Sequence, residues 1–146
     1  MFYITSSAII GITAVPVQIE THVAFGMPHF KIVGLPDMTV KESRDRIRAA
    51  IKQSGFLFPR GRITVNLAPA DIRKQGPLYD LPAALSILAA TGQITYSSLN
   101  DSIVLGELAL NGEVRPVPAA LSATVMAKRE GISNIYVPEK NIQEAV

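Results

Sequence analysis

The chain passes from a polar loop into a helix through the stretch KQGPLYDLPAA, residues 74 to 84. Pro82 is tolerated in the first turn of a helix, because the N–H group that it lacks would have no partner there. Small and apolar residues continue beyond this stretch until Gly92, a residue type that commonly follows a helix. We therefore expect a buried helix over residues 81–91 and a charged loop over residues 69–77 before it.

Alternating apolar residues on both sides of that helix predict a sheet. Residues 15–23 carry a β-branched or apolar side chain at every second position, which is typical of a strand with one buried face. The dipeptide Asn111-Gly112 fits a tight hairpin between expected strands over residues 103–110 and 113–117. Further strands are expected over residues 2–10, 30–33, 62–68 and 134–137, and further helices over residues 40–54 and 118–130. This order, strands first and then helices and strands in alternation, predicts an α+β fold with helices packed mainly on one face of the sheet.

Length and composition fit one domain without covalent cross-links. The chain has 146 residues, of which 48% are hydrophobic, and this is enough apolar material for a core. Cysteine is absent, which excludes disulfides and thiolate metal sites and is compatible with a cytoplasmic protein. The uncharged residues 1–19 lack the basic start of a signal peptide, and residues 81–100 are apolar only to about Ala90, so no membrane segment is expected. A capping-box pattern from Asn141 to Glu144 begins a helix just before the last residue, and we expect residues 1–146 to be one domain of a longer protein.

The sequence contains no pattern for nucleotide or metal chemistry. A P-loop requires two glycines five residues apart, followed by Lys and Ser or Thr, and no glycine of this chain begins that pattern. The two histidines, His22 and His29, have no cysteine and no carboxylate pair near them in the sequence, so an ordinary surface or sheet-edge position is expected for both. We therefore expect no cofactor, no metal and no catalysis within these residues.

Two stretches resemble the proteolytic domain of Lon proteases and the Lon-like domain of the RadA recombination protein. They are residues 74–84 and the hairpin LGELALNGEVRPV at residues 105–117. The resemblance implies the ribosomal protein S5 domain 2-like fold. In Lon, the serine nucleophile follows the Gly-Pro pair directly and the catalytic lysine stands five residues after the hairpin's proline, so the matching positions here are Leu78 and Leu121. Leucine can neither attack nor accept a proton, and we expect these two side chains to lie close together as a degenerate dyad.

A more extensive resemblance covers nearly the whole chain. The runs VGLP (33–36), VKESRDRIRAAI (40–51), ITVNLAPAD (63–71) and YDLP (79–82) are very similar to the amino-terminal domain of magnesium-chelatase-like ATPases of the ComM/YifB type. The resemblance implies a domain without catalytic activity of its own, followed in the whole protein by an AAA+ module that holds ATP and Mg²⁺. It also implies hexameric rings and DNA branch migration during transformation. A purely structural or protein-interaction role for a degenerate peptidase fold is the alternative.

Basic residues are concentrated between residues 37 and 76, where nine of the 14 Lys and Arg residues stand against four acids. Arg44, Arg48 and Lys52 are spaced four residues apart and form a ladder on one helix face, which can follow nucleic-acid phosphates. The candidate nucleic-acid-binding residues are Lys41, Arg44, Arg48, Lys52, Arg60, Arg62, Arg73 and Lys74. Contact with the ATPase module or a neighbouring subunit, or plain solvation of the helix face, would explain the same charges.

Overall fold

A six-stranded mixed sheet forms the centre of the structure, a computed structural model that describes residues 3–74 and 76–145. The strands of this sheet are β1 (Ile4–Ile10), β2 (Thr13–Ala24), β3 (His29–Val33), β4 (Arg62–Ala68), β5 (Ser102–Val104) and a last strand (Asn134–Tyr136), which is β8 in chain order. They lie in the order β3-β4-β2-β1-β5-β8, so β3 and β8 form the two edges. The β1–β2 and β2–β4 pairs are antiparallel, whereas β3–β4, β1–β5 and β5–β8 are parallel.

Three helices of at least 11 residues pack against this sheet. They are α1 (Asp37–Gln53), α2 (Asp80–Ala90) and α3 (Ala120–Glu130), and a short helix α4 (Ile142–Ala145) contacts α3. Helix α2 lies within one residue of the expected bounds, because its run of small and apolar residues suits a helix that is almost entirely buried. Within the described residues, no helix has both the length and the apolar character that a membrane crossing requires.

The two faces of the sheet carry separate hydrophobic clusters. Helices α1 and α2 cover the face on which Val17 and Ile19 are fully buried. Helix α3 packs with Ile103 of β5. Because Ile103 pairs with Thr5, whereas Val17 pairs with Ser6, the side chains of these two sets lie on opposite sides of the sheet. The expectation that helices pack mainly on one face therefore holds for α1 and α2 only, since the connection from β5 to β8 carries α3 across the other face.

Strand β2 contributes to both clusters. Val17 and Ile19 belong to the cluster under α1 and α2, and Ala14 belongs to the cluster under α3. The strand is 12 residues long and pairs with β1 over its first half and with β4 over its second half. It is therefore the element that joins the two halves of the sheet.

The stretch 103–110, which we expected to be one strand, is divided between β5 and a separate two-stranded ribbon. The ribbon pairs β6 (Glu107–Leu108) with β7 (Val114–Arg115). Between β5 and β6, the N–H of Gly106 donates to the carbonyl of Leu78 at 2.9 Å, and a Cβ at this glycine would lie only 2.8 Å from Cγ1 of Val114. The prediction of one continuous strand is wrong because this glycine leaves the sheet to contact the segment before α2.

Candidate nucleic-acid interface

Lys74 is buried and cannot contact a phosphate group. The residue is only 2% exposed, and its ammonium group donates hydrogen bonds to the carbonyl of Pro69 and, at 2.8 Å, to that of Ile72. Removal from water lowers the pKa of Lys74 below its ordinary value, against an opposing effect of Asp71. The prediction that Lys74 belongs to a nucleic-acid surface is therefore wrong, because this side chain ties together the carbonyls of the loop before it.

Arg46 forms an ion pair with Asp80, so its charge is not available to a ligand at the surface. Its Nε and Nη2 donate to the carboxylate at 2.6 and 3.2 Å, and the backbone N–H of Leu108 donates to the same carboxylate at 3.2 Å. Burial raises the pKa of Asp80, whose side chain is 1% exposed, and the hydrogen bond from Arg46 opposes that rise. The same hydrogen bond raises the pKa of Arg46, so the guanidinium remains charged. This pair fastens α1 to the first turn of α2.

The two arginines of the α1 ladder are half-buried and make contacts within the chain. Nη1 of Arg44 donates to the carbonyl oxygen of Phe30 at 2.9 Å. The guanidinium carbon of Arg48 lies 5.7 Å from the ring centroid of Phe30 and 5.2 Å from that of Phe58, within the range of cation–π interactions. Lys52, the third member of the ladder, is exposed. The ladder therefore serves in part to fix α1 on β3, and its three members are not equivalent.

The remaining candidate residues, Lys41, Arg60, Arg62 and Arg73, are exposed. Arg62 is the first residue of β4, and Arg60 lies in the turn just before it. Gly61, which stands between them, lines a cavity of about 230 Å³ together with Arg48 and His29, among other residues. Arg73 instead lines a cavity of about 300 Å³ beside the segment that precedes α2. Arg62 therefore pairs with His29 of β3, Arg60 precedes it by two residues, and Arg73 lies beside a different cavity.

The strand register adds three basic side chains to this edge. His29 pairs with Arg62, and Thr64 pairs with both Lys31 and His22, so these residues form two adjacent rows on the sheet face opposite α1 and α2. His22, His29, Lys31 and Arg62 are all exposed. We call this surface the basic sheet face and define it by His22, His29, Lys31 and Arg62.

This surface is not apparent from the sequence, because its residues stand on three different strands. In β3 the side chains are alternately exposed and buried. This pattern places Lys31 on the side away from the core but does not show which residues lie beside it. The pairing of β3 and β2 with β4 supplies those neighbours. In the next row of the same face, Glu20 accepts a hydrogen bond from Asn66 at 3.2 Å, so this carboxylate already has a donor within the sheet.

Leu78 and Leu121, which the resemblance to Lon matched with its serine and lysine, have different surroundings. Leu78 is half-buried and lines the cavity of about 300 Å³, together with Tyr79 and Ala119. Leu121 is 55% exposed and lines another cavity with Ile12. The two side chains therefore line different cavities, whereas we expected them to lie close together.

The start of α3 explains this difference. Ala119 adopts a left-handed backbone with a φ of 71°, and α3 begins at the next residue. Ala120, Ala123 and Ala127 are buried in the cluster under the helix, at the spacing of one helical face. Leu121 and Val125 are each 55% exposed, on the outward face of the same helix.

Comparisons with known proteins identify the family. The family model described as subunit ChlI of Mg-chelatase matches residues 19–141. The chain is 50% identical to protein YifB of Salmonella typhimurium over 94% of its own length, and 43% identical to competence protein ComM of Haemophilus influenzae over 96%. It covers 27% of the length of each of these relatives. A Lon protease of Mycolicibacterium smegmatis is 26% identical over 94% of the chain, which covers 18% of that protein.

These matches run through all the elements that carry the site. The family model begins in β2 and ends beyond β8, so it includes the basic sheet face, the ion pair between α1 and α2, and both leucine positions. The chain spans about a quarter of the length of the YifB and ComM relatives. On this evidence the chain belongs to the magnesium-chelatase-like family that includes ChlI, YifB and ComM.

Proposed function

We propose that this chain is a non-catalytic domain that engages DNA on behalf of a larger magnesium-chelatase-like ATPase. The observation that carries the proposal is the group of exposed cations at one edge of the sheet. Arg62 begins β4, Arg60 lies in the turn just before it, and Lys31 stands in the neighbouring row of the sheet. Several cations on one surface attract the phosphate backbone in a sequence-independent and salt-dependent manner.

The similarity to Lon, together with leucines where Lon has its catalytic residues, supports the proposal that this domain is not catalytic. The 26% identity to a Lon protease is consistent with a Lon-like, S5 domain 2-like fold, which we propose for this chain. Leucines occupy the positions of the nucleophile and the base, and leucine offers neither a hydroxyl nor an amine. The domain would then contribute binding and position, while chemistry takes place elsewhere in the whole protein.

The whole protein would place this domain beside an AAA+ module in a cytoplasmic hexameric ring. In this proposal ATP and Mg²⁺ bind only to that module, and the ring carries out DNA branch migration during transformation or recombination. One relative bears the name competence protein, which fits such a role. The length of the relatives leaves room for the module, since this chain covers only 27% of them.

An apolar surface favours a second candidate function, which is a structural role in protein contacts. Ile12 is 96% exposed, and Leu121 and Val125 are each 55% exposed, around a cavity of about 260 Å³. Exposed apolar residues that lie together commonly mark a protein interface. A domain with this role alone would organise the ring and would not bind DNA.

Binding of labelled DNA by fluorescence anisotropy, over a series of salt concentrations, separates these two functions. The test compares the chain with its Arg60→Glu/Arg62→Glu variant, using both a single strand and a duplex as probes. We expect the variant to bind more weakly and to lose about one unit of salt slope for each phosphate contact removed. Circular dichroism checks that the variant folds.

The matched control is Lys128→Glu/Lys140→Glu, which makes the same change in net charge at two exposed positions outside the basic sheet face. If the control weakens binding as much as the Arg60→Glu/Arg62→Glu variant, net charge and not this surface is responsible. If the unmodified chain binds neither probe at low salt, the DNA-binding function is wrong and the structural role remains.

A further inference from the structure

The loop between β2 and β3 presents an aromatic ring and a thioether to solvent beside the basic sheet face. Phe25 is fully exposed, and Met27 is largely exposed. The ring of Phe25 therefore packs against no hydrophobic cluster of the described residues. Because this loop joins two strands that both contribute to the basic sheet face, its position is set by the same part of the sheet.

The backbone at two glycines, one in this loop and one in the turn before β4, passes close to its neighbours. A Cβ at Gly26 would lie 2.9 Å from Cδ of Arg62, so the loop backbone passes directly over that arginine side chain. A Cβ at Gly61 would lie 2.5 Å from the carbonyl oxygen of Ala24, so the turn before β4 also passes close to the end of β2. The N–H of His29 also donates to the carbonyl of Gly61 at 3.1 Å. The backbone on both sides of Phe25 is therefore packed closely on the start of β4.

We propose that the basic sheet face and Phe25 together bind single-stranded DNA, with one base stacked on the Phe25 ring and the phosphates beside Arg62, Lys31 and His29. This inference rests on the proposed DNA-binding function and specifies its substrate. An exposed ring next to a basic groove or platform is the arrangement that proteins use to bind single strands without sequence preference, because every base has a face on which an aromatic ring can stack.

A duplex fits this surface less well. In a duplex the base faces are already stacked on one another, so Phe25 would have to separate a base step before it could contact one. A single strand has unstacked bases available and can lie extended across the flat rows of the sheet. The cations would attract both forms of DNA, whereas the ring adds affinity for the single strand alone.

The absence of tryptophan from the chain provides a direct test. Phe25→Trp places a single tryptophan in the loop, and Ile12→Trp places one in the turn at the other end of β2, where Ile12 is almost fully exposed. The two positions are separated by the length of the 12-residue strand β2, about 40 Å. We expect oligodeoxythymidine of about 16 nucleotides to quench the fluorescence of Phe25→Trp and to leave that of Ile12→Trp unchanged.

Affinity measurements with Phe25→Ala complete the test. We expect this variant to bind oligodeoxythymidine about tenfold more weakly and a duplex of the same length with unchanged affinity. Met38→Ala, at an apolar residue that is 91% exposed on α1, is the matched control and should change neither affinity.

Two results separate this inference from the proposed function. If DNA binds but Phe25→Trp is not quenched and Phe25→Ala binds normally, the inference is wrong and the DNA-binding function stands. If the unmodified chain binds neither probe, the proposed function is wrong, and the inference is wrong with it.

Discussion

The carboxylate of Asp80 accepts a hydrogen bond from Nε of Arg46 at 2.6 Å and so connects the middle of α1 with the beginning of α2. The carboxylate is almost completely buried, and its second partner is the backbone N–H of Leu108 in β6. Three elements therefore meet at one charged pair. Such a pair is costly to break from one side, because the remaining charge stays buried without its partner.

Replacing Arg46 alone should destabilise the fold more than replacing both partners. We expect Arg46→Met to lower the free energy of unfolding by about 3 kcal/mol, because Asp80 then remains buried without its cation. The double variant Arg46→Met/Asp80→Leu should recover part of this loss. Urea denaturation followed by circular dichroism measures both values, and equal losses for the two variants would show that the pair is solvated in solution.

Lys74 should make the free energy of unfolding depend on pH in the alkaline range. Its folded-state pKa is lowered by burial from the ordinary value of 10.5, so the folded state loses the proton first as the pH rises. Between the folded and unfolded pKa values the unfolded state holds more protons, and stability must increase with pH. We expect the unmodified chain to gain stability relative to Lys74→Met across this window, as measured by urea denaturation at several pH values up to 10.5. An identical pH dependence for both proteins would contradict a shifted pKa.

The α1 ladder should not tolerate charge reversal equally at all its positions. Arg48→Glu removes the contact with the rings of Phe30 and Phe58, and we expect it to lower the free energy of unfolding by about 1 kcal/mol. Lys52→Glu, at an exposed position of the same helix, should change stability by less than about 0.5 kcal/mol. Thermal or urea denaturation of the two variants tests this difference. Similar stabilities would show that Arg48 is solvated like Lys52.

Restoring the residues of a Lon dyad should not restore peptidase activity. Leu78→Ser/Leu121→Lys introduces a hydroxyl and an amine, but their parent side chains line different cavities. A serine is activated only when a base lies within hydrogen-bond reach, so we expect no hydrolysis of fluorescently labelled casein above the level of the unmodified chain. Turnover that depends on both substitutions would show that the two positions can approach each other.

The fold could be predicted from the sequence wherever a pattern is local. The strand over residues 62–68 and the helix α2 were placed to within one residue, because alternation and a stop glycine are properties of neighbouring positions. The division of residues 103–110 could not be predicted in this way. It depends on the contacts of Gly106 with the segment before α2, which lies more than 20 residues earlier in the chain.

The candidate site shows the same limit more clearly. The many basic residues between residues 37 and 76 predicted that Arg60 and Arg62 belong to the site, and both are exposed in the structure. The same stretch included Lys74, whose burial depends on how the loop folds back over its ammonium group. Lys31 and the two histidines belong to the surface only because strand pairing brings them beside Arg62. A count of charges along the sequence does not reveal this pairing.

Strand β2 contributes residues to both hydrophobic clusters, and this limits local unfolding of the sheet. One end of this strand is buried under α3 and the middle is buried under α1 and α2, so neither hydrophobic cluster can lose its packing without exposing residues of the same strand. Amide hydrogens along β2 should therefore exchange with solvent only through global unfolding, at one common free energy. A ligand that binds beside Ala24 would then slow exchange as far away as Ala14, with no change of shape between them.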